Sequence, residues 1–290
     1  MSRRGWWLFL ALGVIWGIPY LLIRVAVMEM SPVFVAFART LIGAALLLPI
    51  AASRGQLKPV LRHWKALLAF TLVEISGPWW LLGHAETRIN SSTAGLLIAT
   101  VPVLTAGILA LTGRERLDSR RALGLAVGLS GVVALVGLDI DLSDGWAVGA
   151  ALLAAVGYAI GPIIINRGLS GVPPLGVIAA SLGLAALLYV PFATAAWPAH
   201  FGLQASAAVV TLGLVCTALA FLLFFALIAE AGPARATVIT YFNLLVALLL
   251  GVLLLKEPLS PGMLVGSVLV VLGSFLATTG RKRAAAASEA

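Results

Sequence analysis

The sequence predicts an all-α polytopic membrane protein in which ten transmembrane helices form two inverted five-helix repeats. Three observations carry that expectation. Apolar residues make up 61% of the chain and charged residues only 10%, against about 25% charged in soluble domains. The apolar residues fall into blocks of about 20, the length that crosses a hydrocarbon core roughly 30 Å thick. A shift of 142 positions lays landmarks of the first half on the second without a gap: Pro32 on Pro174, Pro49 on Pro191, Glu115-x-Leu117 on Glu257-x-Leu259, Gly124 on Gly266 and Gly131 on Gly273.

Each block is read as a helix, because backbone amides facing lipid need internal partners and nothing here alternates as a barrel strand would. The first expected span, residues 6–28, follows the basic start Ser2-Arg3-Arg4. That start mimics a signal peptide, but the apolar run is long enough to cross, so an uncleaved first helix is expected. The second span, 33–52, opens at Ser31-Pro32. The third, 66–86, carries Glu74 and Gly77-Pro78-Trp79-Trp80, and the fourth, 91–111, carries Thr100 and Pro102. The fifth, 120–138, is rich in glycine. The sixth, 146–166, follows Asp139, Asp141 and Asp144, and the seventh, 174–195, opens at Pro173-Pro174. The eighth, 206–229, holds the lone cysteine Cys216, which excludes an intramolecular disulfide. Gly232-Pro233 opens the ninth, 234–255, and Ser260-Pro261 the tenth, 261–280. The expected units are therefore residues 1–141 and 142–280, each a five-helix repeat, with 281–290 a disordered cytoplasmic tail.

Charge sets the expected orientation. The net charge of +8 does not point to nucleic acid, because the basic residues are short clusters between apolar blocks rather than one basic face. One set of segments, comprising both termini and the loops after the even-numbered spans, holds fifteen Lys and Arg; the opposite set holds only Arg88 and Lys256. By the positive-inside rule both termini are cytoplasmic in a cell (inner or plasma) membrane. Five spans per half, an odd number, then place the two copies in opposite senses, an arrangement many secondary transporters use.

Polar residues inside the spans are the candidate functional residues. Glu74 is the one acidic residue deep in an expected span, and a carboxylate there costs about 2.5–3.5 kcal/mol, so it asks for a partner or a proton. Arg39, in the second span, lies at a depth within roughly 7 Å of Glu74 at the 1.5 Å rise of a helix. A structural ion pair between the two and a direct coupling or substrate role for Glu74 both stay open. In the first span Gly13, Gly17, Tyr20 and Arg24 share one stripe with Pro19 among them, which fits either a substrate-facing wall or close helix packing. Arg24, near the outer end, is expected to snorkel to the interface. Trp79 and Trp80 are read as cavity wall or lipid contact. Tyr158 and Asn166 in the sixth span, with Tyr241 and Asn243 in the ninth, are read as interhelical glue or solute ligands. Thr100 is expected to bond its own helix backbone.

Enzyme signatures are missing from the pattern. His63, His84 and His200 lie far apart, no His or Cys spacing suits a metal, and no P-loop is present, so no cofactor is expected. Ser76 and His84 are too far apart along the chain for a Ser-His pair.

Together these residues resemble the drug/metabolite transporter superfamily, and specifically its EamA-type members. The resemblance spans residues 5–280 and rests on Trp16-Gly17, Ser31-Pro32 with Arg39, Pro102, Arg114-Glu115-Arg116-Leu117 and Lys256-Glu257-Pro258-Leu259. The chain departs from the family pattern in one respect: the family usually has Gly before that Glu, and both copies here have a basic residue. The halves have also diverged, with Tyr158 where the first has Trp16 and Leu244 where it has Pro102. The resemblance implies an exporter-like carrier in which helices 1, 3, 4, 6, 8 and 9 line a central cavity and helices 2, 5, 7 and 10 are peripheral. It implies a small-molecule substrate, amino acid-like or drug-like, moved by alternating access. The expected pathway or coupling residues are Glu74, Arg39, Trp16, Tyr20, Trp80, Tyr158, Asn166, Tyr241 and Asn243. The expected partners are that solute, the lipid bilayer and protons as coupling ion, with monomer and homodimer both open. A membrane-embedded enzyme and a passive facilitator or channel are the alternative classes.

Overall fold

The computed structural model describes residues 2–112, 118–139, 144–231 and 239–278. The Arg114–Leu117 motif, Ser143, Gly232-Pro233, the tail 281–290 and the Tyr241 side chain lie outside the described residues. Among the described residues, ten longer helical segments follow in the expected order, with a short helix, Leu57–Leu61, between the second and third. The first half contributes α1 (Arg3–Val27), α2 (Pro32–Ser53), α3 (Trp64–Ala85), α4 (Ser91–Leu111) and α5 (Ser119–Asp139). The second half contributes α6 (Gly145–Gly168), α7 (Pro174–Ala195), α8 (Leu203–Ala231), α9 (Ile239–Leu254) and α10 (Pro261–Thr278). Seven of them, α1 to α4 and α6 to α8, are long and apolar enough to cross a membrane. The apolar stretches Phe242–Leu254 and Pro261–Ala277 are shorter.

Local chemistry sets the helix ends. Ser2 caps α1 by accepting from the Gly5 amide at 3.0 Å, which starts the helix before its apolar run. Ser31 accepts from the Phe34 amide at 3.3 Å, with Pro32 in the first turn where its missing N–H costs nothing. α4 breaks into a turn at Ala99-Thr100. Pro102 there cannot donate to the preceding turn, and the Thr100 hydroxyl bonds its own helix, donating to the Leu97 carbonyl at 2.6 Å.

Two helices carry a widened π-turn, Thr71–Ser76 in α3 and Leu214–Leu219 in α8. In α3 the cause is Pro78, whose ring would strike the carbonyl of Glu74, four residues back, in a regular helix. In α8 Thr217 Oγ1 donates to the Leu212 carbonyl, five residues back, at 2.8 Å. The two turns start at the same place in each half to within one residue of the 142-residue period.

The helices pack across the halves. α2 lies on α7 and α5 on α10, while α1 packs mainly on α8 and α9, and α6 on α3 and α4. α5 and α10 meet backbone to backbone. A methyl group added at Gly124 would stand 2.9 Å from the Gly273 carbonyl oxygen, and one at Gly131 would stand 3.0 Å from that of Gly266. Small residues permit that approach, which supplies the packing that lipid does not. As the position numbers rise along α5 they fall along α10, so the two helices run antiparallel.

Candidate functional site

The polar interior is built around Arg39. It sits in mid-α2, buried, and its Nε donates to Thr217 Oγ1 in the α8 π-turn at 2.9 Å. Its guanidinium carbon stands 3.8 Å from the centre of the Trp79 ring. A cation over an indole face is held electrostatically, more strongly where water is excluded. α2 is therefore not only peripheral, as the resemblance implied; it supplies the buried cation.

Glu74 lies in the α3 π-turn and faces α6. A methyl group at Gly161 would fall 1.7 Å from Glu74 Oε2, so the carboxyl fills the space left by that glycine. Oε2 is buried and makes no hydrogen bond among the described residues. The Arg39–Glu74 ion pair considered from the sequence is not formed. The depth estimate left the helix faces undetermined: Arg39 is drawn to α8 and Trp79, whereas the π-turn points Glu74 at α6. Tyr158 on α6 is within electrostatic reach of both Arg39 and Glu74, and Tyr20 on α1 is within reach of Arg39. The Tyr189 hydroxyl on α7 donates to the Ser76 carbonyl at the end of the π-turn. Arg39, Glu74, Tyr20 and Tyr158 are thus brought together.

The other expected residues are placed less centrally. Trp16 is half-buried, its ring 4.9 Å from Phe224 and 6.0 Å from Phe221 of α8. Trp80 is 40% exposed on the outside of the bundle, whereas Trp79, at 8%, faces inward over Arg39. Asn166 is exposed near the end of α6, and Asn243 is half-buried beside Gly17. Gly13 and Gly17 abut Phe242 and Val246 of α9, so the stripe on α1 is a packing surface along that length. Arg24 does not simply reach for the interface; it donates to the Glu86 backbone carbonyl at the end of α3.

A second polar cluster was missed from the sequence. Glu257, just before α10, accepts from the backbone nitrogen and Oγ of Ser91, each at 2.8 Å, and from the Ser92 nitrogen at 3.0 Å. It thereby satisfies the open amides that begin α4. Lys256 beside it takes φ +56°, a left-handed conformation that glycine adopts freely. That geometry explains why the family pattern has Gly before the Glu. Glu86, at the end of α3, is fully buried and neither carboxyl oxygen has a hydrogen-bond partner among the described residues. The signal for Glu257 was its recurrence at the 142-residue period; Glu86 sat at an expected span edge and gave none.

Two surface clefts, one at Arg62–Ala66 with Gly168 and one around His84, Arg88 and Asp144, lie apart from Arg39 and Glu74. Among the described residues no cluster of His, Cys, Asp and Glu is suited to a metal ion.

A sequence model of the EamA-like transporter family matches the chain twice, over residues 3–137 and 145–279. The uncharacterized inner membrane transporter YedA of Escherichia coli (strain K12) is 29% identical, over 92% of this chain and 90% of its own. A Streptantibioticus cattleyicolor protein named "Probable terminal-alkyne amino-acid exporter" is 28% identical, over 98% of this chain and 97% of its own. A solved crystal structure shares the fold with a TM-score of 0.68 at 22% identity, over 98% of this chain and 100% of that one. The chain belongs to the EamA-like transporter family: it is a multi-pass membrane protein and a secondary transporter of a small molecule.

Proposed function

We propose that the protein exports a small metabolite, amino acid-like or drug-like, by alternating access between two inverted five-helix halves, with both termini in the cytoplasm. The cross-packing of the halves carries this reading. Each of α1 and α6 packs mainly on helices of the other half, and the buried Arg39 and Tyr20 lie with the half-buried Glu74 and Tyr158 where the halves meet. A rocking of one half against the other would expose that cluster first to one side and then to the other, as inverted-repeat carriers do. The twice-matched family model and the antiparallel α5–α10 contact support the inverted arrangement. Export is favoured by the relative named as an exporter.

Glu74 is the proposed coupling group. It is a carboxyl in mid-helix with a buried oxygen that lacks a hydrogen-bond partner, and no ion pair with Arg39 holds it charged. A proton can supply what the protein does not. Reconstituted in vesicles, the protein should show saturable flux that substrate on the far side accelerates, which a channel would not. Glu74→Gln should abolish uphill flux driven by a pH gradient while sparing substrate-for-substrate exchange. A mutant that still concentrates substrate would make Glu74 structural.

A further inference from the structure

Arg39 has donors to spare. A guanidinium offers five N–H groups, and among the described residues only Nε finds an acceptor, Thr217 Oγ1. Among the described residues the two terminal nitrogens make no hydrogen bond and no carboxylate is paired with them, although a cation this deep in a bilayer is costly. Trp79 and Thr217 fix the group by its face and by one edge. The edge they leave is the fork of two parallel N–H vectors, which fits an oxyanion bidentately. Tyr158 and Tyr20 are within electrostatic reach, and neither hydroxyl makes a hydrogen bond among the described residues. This part of the interior therefore has unspent donors and a positive charge with no carboxylate in direct contact among the described residues, Glu86 acting on it only at a distance.

Resting on the transporter reading above, we infer that Arg39 is an anion anchor and that the transported solute carries a carboxylate, which docks on the two terminal nitrogens. One cation selects a monoanionic group. A phosphate monoester near neutral pH carries more charge than Arg39 neutralises, so the carboxylate is the better match. Thr217 and Trp79 act as positioning residues: they hold the fork in place and leave it open. The substrate carboxylate then supplies the counter-ion that Glu74, turned toward α6, does not.

The test compares matched solutes in proteoliposome counterflow. The probes are L-leucine and L-phenylalanine, their carboxamides, the amines lacking the carboxyl group, and the phosphate monoester phosphoethanolamine. The expected result is saturable counterflow of the carboxylates, with the carboxamides and amines carried at least about tenfold less well, the loss of one charged hydrogen-bond pair. Arg39→Lys, which keeps the charge and loses the fork, should raise KM by about tenfold, and Arg39→Gln should remove the preference for acid over amide. Counterflow of amides or amines equal to that of the acids overturns the anchor and leaves the transporter reading standing. Preference for phosphoethanolamine over the amino acids overturns the carboxylate assignment. Absence of saturable counterflow for every probe overturns both. The wild-type comparison of acid with amide needs no variant, so misfolding of Arg39→Gln does not decide the outcome.

Discussion

Glu257 closes on Ser91 from 166 residues away in the chain, with Oε1 2.8 Å from both the backbone nitrogen and the hydroxyl. The contact joins the loop before α10 to the start of α4, one element from each half. It replaces the usual local N-cap with a carboxylate brought from elsewhere, so the first turn of α4 depends on tertiary structure for its capping.

Removing that carboxylate should be costly. Glu257→Ala should lower stability by about 2 kcal/mol, because buried amides lose a charged acceptor. Glu257→Gln should cost less, since the amide keeps one acceptor oxygen. Thermal unfolding in detergent, with Ser91→Ala as the second arm of a double-mutant cycle, measures the coupling. Additive effects would mean that the contact to the Ser91 hydroxyl is not made, since Ser91→Ala keeps the backbone donor.

Lys256 is the opposite case. Its left-handed backbone costs a side chain about 1–2 kcal/mol, while glycine loses about 0.5–1 kcal/mol of extra chain entropy on folding. Lys256→Gly should therefore raise stability by about 0.5 kcal/mol, seen as a small increase in Tm. Destabilisation would place the strain elsewhere.

Arg39 and Glu74 should behave as independent sites. Single Gln substitutions should each change stability, and the double variant should equal their sum within about 0.5 kcal/mol. Trp79→Leu should cost about 1 kcal/mol by removing the ring under the guanidinium. Trp80→Leu, on the exposed side, should cost little. A large coupling energy between Arg39 and Glu74 would show that the pair closes in another conformation.

The glycine seam can be tested by contrast. Gly131→Leu or Gly273→Leu would drive a side chain into the facing backbone and should separate α5 from α10 with loss of folded protein on size-exclusion chromatography. Gly149→Ala meets nothing within 4 Å and should be neutral or mildly stabilising.

Orientation has its own measurement. Cysteines placed at Ser143 and His200 should react with impermeant reagents from outside intact cells, and those at Gln56 and Ser119 should not. Labelling of Ser119 from outside would reverse the charge-based assignment and remove the basis for opposed halves.

Much of the helix layout could be read before any coordinates. The bilayer imposes a length of about 20 apolar residues on each span, and signals such as Ser31-Pro32 and Pro261 mark the starts within a few residues. Side-chain direction was harder. Depth along a helix follows from counting, but which face a residue occupies depends on an uninterrupted 3.6-residue turn. The α3 π-turn adds a residue just before Trp79 and Trp80, rotating everything beyond it by about 100° relative to Glu74. Trp79 and Trp80 were both open between cavity wall and lipid contact, and the structure turns Trp79 inward and Trp80 outward. The ion pair could not be decided from the sequence because depth does not fix which face of α2 or α3 a side chain occupies. Glu257 was visible as a repeated motif, but its partners are distant in sequence. Glu86 was hidden because a carboxylate at a span edge is normally hydrated.

The α5–α10 contact has one more property. Gly124 touches Gly273 and Gly131 touches Gly266, yet the repeat equates Gly124 with Gly266 and Gly131 with Gly273. Written in the first half's numbers, each seam contact becomes Gly124 against Gly131 of the opposing copy. The surface is thus isologous, the same patch used by both sides about a two-fold axis. A chain of half this length bearing that patch would need only to insert in both orientations to assemble an antiparallel pair, with no linker required to bring its copies together.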